Sequence, residues 1–172
     1  MKSVSIQFIA LLLTCSGLVC AAPPPEKVTF VTDSISRKDG NAISLLGGSE
    51  WLLSQPILAL ATDNIIIVSR EKELAGKKKT RVAVAFVNGQ ECVATHIGGQ
   101  FLPSTGTLTS VVATHENGAV LELMDGRLFS VPEYDRYETG WWLPPYKALV
   151  AGNEMYLWNL KKGKRVWVNP KK

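Results

Sequence analysis

Two histidines and three cysteines are the residues best suited to nucleophilic or metal chemistry in this chain. Cys92 and His96 stand four apart, and in a strand that spacing puts both on one face at roughly 13 Å. Neither a single metal nor a Cys–His ion pair spans that distance without a bend in the chain. His115 lies beside Asn117-Gly118 and can meet the other two only through the fold. Gly-x-Ser-x-Gly, His-Glu-x-x-His and phosphate-loop patterns are all missing, which leaves no recognisable catalytic set. An enzyme would have to rely on scattered carboxylates such as Glu122, Asp125 and Glu133, and paired acids are common on protein surfaces. No catalytic, cofactor-binding or metal residue is assigned and no cofactor is expected. Cys92 reads as a small buried hydrophobe.

The side chains that could bind are of two kinds. Tyr134, Tyr137, Trp141, Trp142 and Tyr146 cluster around Pro144-Pro145. Flat, rigid rings bury area at low entropic cost and stack on sugars or prolines, so the cluster is a candidate binding surface. The competing expectation is that Trp141 or Trp142 plugs a core. Basic residues gather at Lys77, Lys78 and Lys79, and again at Lys161, Lys162, Lys164 and Arg165. They are candidate contacts to an anionic lipid or cell-wall polymer, weakened by salt, against the alternative of solvated turns and tails. A formal net charge of +4 and a pI near 9.0 exclude a dedicated nucleic-acid binder.

Short strands must position these residues. Runs rich in β-branched and aromatic residues, Asn64 to Ser69, Arg81 to Val87, Cys92 to Ile97, Thr107 to Thr114 and Met155 to Leu160, alternate with turn signals. Asp39-Gly40, Gly47-Gly48, Asn117-Gly118, Asp125-Gly126, Gly152-Asn153 and Lys162-Gly163 mark those turns. The best helical candidate is the short stretch Pro132 to Glu138. The expected class is all-β, built as small barrels or sandwiches.

The chain also resembles itself. Asp39 to Trp51 lies 78 residues ahead of Asn117 to Phe129, with turn glycines, apolar positions and the final aromatic in step. Ala59 to Val68 matches Ala148 to Leu157 after a slip of 11, and Arg81 to Val84 matches Arg165 to Val168. A tandem repeat of two small β-barrel or β-sandwich units is expected, at 27–103 and 104–172, with Pro103 to Gly106 as the linker. Units this small make marginal cores and gain by packing on each other.

Ahead of them, Met1-Lys2 and the apolar run from Val4 to Val19 read as a secretory signal peptide, 1–21, with cleavage before Ala22. Its strongest uninterrupted stretch, Ile9 to Leu13, is too short for a bilayer span of roughly 20 residues, so the mature chain is expected to carry no transmembrane helix. A Pro-rich spacer, 22–26, follows. Cys15 and Cys20 each end an imperfect lipoprotein box, which leaves lipidation open. Cleavage before Ala22 removes both, and the mature protein then depends on its core and not on an intramolecular disulfide, with an intermolecular one through Cys92 left open. With hydrophobic residues at 46 % of the chain, that core is not limited by supply.

The stretch Leu121 to Val131, followed by Trp141-Trp142-Leu143-Pro144 and Tyr156-Leu157-Trp158-Asn159-Leu160, resembles a small β module of uncharacterised secreted, chlamydia-like bacterial proteins. Its pattern is Asp-Gly-Ser-x-Trp, then Trp-x-Pro, then Tyr-Leu-x-Asn. Ser49 and Trp51 keep the Ser-x-Trp element, whereas Arg127 and Phe129 depart from it. The resemblance implies compartment and fold, and no activity. An SH3-like barrel fits less well, because Pro144-Pro145-Tyr146 follows Trp141-Trp142 at once. The expected function is that of an exported, non-enzymatic envelope or secreted protein whose β modules bind a partner or give structural support. The alternative is a cell-envelope hydrolase or its regulatory module, with polar groups converging on His96 or His115.

Overall fold

The computed structural model describes residues 25–74 and 78–171, with side chains omitted for 72–79. The signal peptide, Cys15, Cys20, most of the spacer and Lys77 lie outside these residues. The chain is all-β. Its strands are β1 (Glu26–Asp39), β2 (Ala42–Leu45), β3 (Glu50–Leu53), β4 (Asn64–Leu74), β5 (Lys78–Val87), β6 (Gln90–Gly98) and β7 (Ser104–His115). There follow β8 (Val120–Leu123), β9 (Leu128–Ser130), β10 (Tyr146–Ala151), β11 (Tyr156–Asn159), β12 (Lys164–Trp167) and β13 (Asn169–Lys171). One short helix, α1 (Arg136–Thr139), continues a 3-10 turn over Glu133–Asp135, where the helical stretch is expected. Among the described residues no helix is long and apolar enough to cross a membrane.

Six strands close a barrel in the order β1-β2-β3-β6-β5-β4, with β4 returning antiparallel to β1. Closure gives each of these six strands a partner on both sides. The barrel is filled by Ile35, Ile43, Leu45, Trp51, Leu53 and Ile65 with their neighbours, all buried. Trp51 brings a polar N–H into this core, and Ser49 Oγ accepts it at 3.0 Å.

In the second half β7 pairs with β8 and β10, β8 with β9, β9 with β13, β10 with β11, and β11 with β12. Val168 alone separates β12 from β13. Val111, Leu121, Phe129, Trp142, Leu157 and Val166 form the core here. Phe129, which has no N–H to satisfy, is 0 % exposed and lies under the Arg127 guanidinium, 5.7 Å from its centroid. The departure from Ser-x-Trp thus changes both members of the pair together.

A third cluster joins the halves: Val28 and Phe30 of β1, Ile66 and Val68 of β4, Leu149 of β10, and Leu160. It explains the unbroken apolar run in β4. Ile65 and Ile67 point into the barrel while Ile66 and Val68 point at the second half, so a strand covered on both faces loses its alternation. Ala148 and Val150 against Leu149 and Ala151 do the same in β10.

Four expectations need correction. The stretch Pro103 to Gly106 is no linker, since β7 starts at Ser104 and pairs with β1. Gly106 is there for close approach: an added Cβ would lie 2.9 Å from the Val150 carbonyl oxygen and 3.0 Å from Leu149 Cδ1. Glu26, assigned to the spacer, already belongs to β1. Asn88-Gly89, not among the expected turns, joins β5 to β6 with positive φ at both residues, as a two-residue hairpin requires. Of the three self-matches, the first aligns β2 with β8 and β3 with β9. The other two align strands with different partners, β4 with the β10–β11 hairpin and β5 with β12, because short alternating runs look alike in any strand.

Candidate functional site

The five aromatic residues of the candidate surface divide into two sets. Tyr134, Tyr137 and Trp141 are exposed at 70, 77 and 72 %, whereas Trp142 and Tyr146 are buried at 2 and 6 %. The division follows helical geometry. The 3-10 turn and α1 carry the chain through one continuous coil, closed by Trp141 and Trp142 N–H groups donating to the Glu138 and Thr139 carbonyls. Positions 134, 137 and 141 fall on one side of such a coil, and 139 and 142 on the other. Trp142 meets Tyr146 edge to face at 5.7 Å inside the second core, so these two support the surface from beneath and do not belong to it. Burial pushes the Tyr146 phenol pKa well above its usual value, and its hydroxyl has no hydrogen-bond partner among the described residues.

Polar contacts fix the coil in place. Thr139 Oγ1, fully buried, donates to the Gly118 carbonyl at 2.7 Å. Asp135 Oδ2 accepts the Trp167 backbone N–H at 2.7 Å, and Lys164 Nζ lies 3.6 Å from Glu138 Oε1. The exposed rings therefore sit on a short element tied to β12.

The neighbouring face of β11 and β12 was missed as a site in the sequence, although its period-two pattern was visible. Tyr156 pairs with Trp167, and Trp158 with Arg165, which places all four on one face. Tyr156 and Trp167 are 4.2 Å apart between centroids. The Arg165 guanidinium lies 4.7 Å from the Tyr156 centroid and 5.6 Å from that of Trp158. A cleft of about 1130 Å³ opens beside this face, lined also by β1, β4 and β7.

The basic residues do not form one patch. Lys78 begins β5 opposite Leu74, with Lys79 opposite Glu73, at the Leu74 end of the β4–β5 ribbon. The Lys161 carbonyl packs against Gly89, just beyond the other end of β5, 3.5 Å from where a Cβ would be. Nine steps along β5 separate these ends by roughly 30 Å. Lys162 is exposed in the β11–β12 turn, Lys164 faces Glu138, and Arg165 is stacked on rings.

The residues considered for catalysis are also dispersed. Cys92 is 6 % exposed in the barrel core, and desolvation raises its thiol pKa. The His96 ring packs on Trp51 and Phe101 at 5.0 and 5.4 Å, while His115 Nε2 faces Glu122 Oε2 at 2.9 Å. Neither histidine lines the cleft. Among the described residues no group of three His, Cys, Asp or Glu side chains is placed to hold a metal.

The chain matches no protein-family model, no curated protein and no solved structure.

Proposed function

We propose that this is an exported, non-enzymatic protein of the cell envelope or the extracellular medium, built from tandem β modules, and that it works by binding a partner through Tyr134, Tyr137 and Trp141. The observation that carries this reading is the exposure of three large rings on one side of a coil whose other side is anchored by Thr139 and Trp142. Large rings held rigidly in water bury substantial area when a partner covers them, and aromatic residues are enriched where such contacts form. The envelope partner is unassigned, with an anionic cell-wall polymer or lipid favoured by the mildly basic chain.

The pairing orders support the tandem reading. β1 pairs with β2 and β4 as β7 pairs with β8 and β10, and β2–β3 and β4–β5 correspond to β8–β9 and β10–β11. β6, which joins β3 to β5, corresponds to β12 with β13, which join β9 to β11. On this reading Trp51 and Phe129 are equivalent core aromatics. The sequence of residues 1–21 and the resemblance to secreted modules support export. The hydrolase alternative gains nothing from His96 and His115, which face Trp51 and Glu122 in different strands.

Two measurements test the proposal. Mass spectrometry of the protein from its native source should find an N-terminus at Ala22, and retention of residues 1–21 in the mature form would overturn export. Purified protein should be retained on isolated envelope fractions, and replacing Tyr134, Tyr137 and Trp141 with Ala should lower retention at least tenfold with the melting temperature preserved. Undiminished retention would remove the aromatic surface as the contact.

A further inference from the structure

β1 changes partners along its length. It pairs with β4 from Thr29 to Ser34 and with β7 from Glu26 to Phe30. Thr29 and Phe30 therefore have a strand on each side, while among the described residues Glu26 to Val28 have β7 on one side only. Past Ser69, β4 continues with β5 as a two-stranded ribbon, Arg70 opposite Val82 and Glu71 opposite Arg81. The 1130 Å³ cleft opens where the two strands part, with Glu26 to Val28 on one wall and Ser69 to Glu71 on the other. A strand edge of this kind presents a row of N–H and C=O groups that an incoming strand can use.

Charge around the cleft is uneven in availability. Glu26 is held by Arg70 at 3.5 Å, Glu154 is held by Arg127, and Glu71 is engaged as well. Lys27, Arg81 and Arg165 line the same cleft and have no acidic partner among the described residues. Arg165 lies over the rings of Tyr156 and Trp158, which hold the guanidinium beside the cleft while giving its N–H donors no carboxylate.

We propose that the cleft takes an extended acidic peptide, which adds as a strand along the free edge of β1 at Glu26 to Val28 and presents carboxylates to Lys27, Arg81 and Arg165. The free edge favours a peptide over an anionic sugar, because it offers backbone partners that a sugar chain cannot match in register. Every second side chain of an added strand points to the same face, so acids at alternate positions can be presented together to these cations. This site is separate from the exposed rings of Tyr134, Tyr137 and Trp141.

The test is fluorescence anisotropy with a labelled decapeptide of alternating Thr and Glu. It should bind the purified protein saturably, at least tenfold more weakly when salt is raised from 50 to 500 mM. The double variant R81Q/R165Q, with both sites exposed, should lose at least tenfold in affinity. The same peptide N-methylated at alternate residues should lose binding to the unmodified protein, an arm that does not depend on any variant folding. No saturable binding of the Thr-Glu peptide would overturn the proposal. So would equal binding of the N-methylated peptide, and an oligouronate that displaces it with equal affinity would reassign the cleft to anionic sugars.

Discussion

Trp51 Nε1 donates to Ser49 Oγ at 3.0 Å, and both residues are buried. The hydroxyl two positions back along β3 spares the barrel an unpaired indole N–H. Where Phe129 replaces the indole in the second half, an arginine stands two positions before it and pairs with Asp125 at 2.8 Å. Ser49→Ala should cost about 1–3 kcal/mol by stranding the N–H. Once Trp51 is Phe the same change should cost far less. A double-mutant cycle by urea denaturation checks this, and additive losses would show that the bond contributes nothing.

The adjacent tryptophans should respond in opposite ways. Trp142→Ala empties a site in the second core and should destabilise by about 3–5 kcal/mol. Trp141→Ala, on the exposed side of the same coil, should stay within roughly 0.5 kcal/mol. Thermal melts of the two variants compare them directly, with equal losses contradicting the division of the aromatic cluster.

Asp63 ties the loop after β3 to the β5–β6 turn, since its Oδ2 accepts the Leu60 N–H at 2.8 Å and Asn88 Nδ2 at 2.6 Å. Those bonds lower its pKa below 3.8, the Leu60 N–H first and Asn88 second. A carboxyl whose folded pKa is lowered adds stability that is complete above its unfolded pKa and disappears as pH falls through the folded one. Stability should therefore drop as pH falls below about 4 and on through the lowered folded value, and Asp63→Asn should flatten that part of the curve. Chemical denaturation at stepped pH measures it. An unchanged profile in the variant would place the acid sensitivity elsewhere.

Gly106→Ala should destabilise by about 1–3 kcal/mol, because its Cβ would press on the Val150 carbonyl and on Leu149 where β7, β10 and β1 meet. Gly126→Ala, with open space around its Cβ, meets no such neighbour and strains only its backbone. Comparing the two by calorimetry separates crowding from turn strain, and an Ala at 106 tolerated without loss would argue against that close approach.

The sequence by itself determined the local grammar of this chain. Alternation along β2, β6 and β8, turn dipeptides such as Asp39-Gly40 and Asp125-Gly126, and the short coil near Tyr134 depend on neighbours a few residues away, so a linear reading finds them. The all-β class follows from the same signals, and the match of β2–β3 with β8–β9, 78 residues further on, was legible because both hairpins share turn and register. Only the tertiary structure decided which rings are buried, that Ser104 to Gly106 joins a sheet, and that Arg165 stacks on Tyr156 and Trp158 beside a cleft. Each of these depends on what covers the second face of a strand or coil. That cover comes from residues 40 to 83 positions away, as Ile66 meets Leu149 and Thr29 meets both Ser69 and Thr105. No local pattern carries that information.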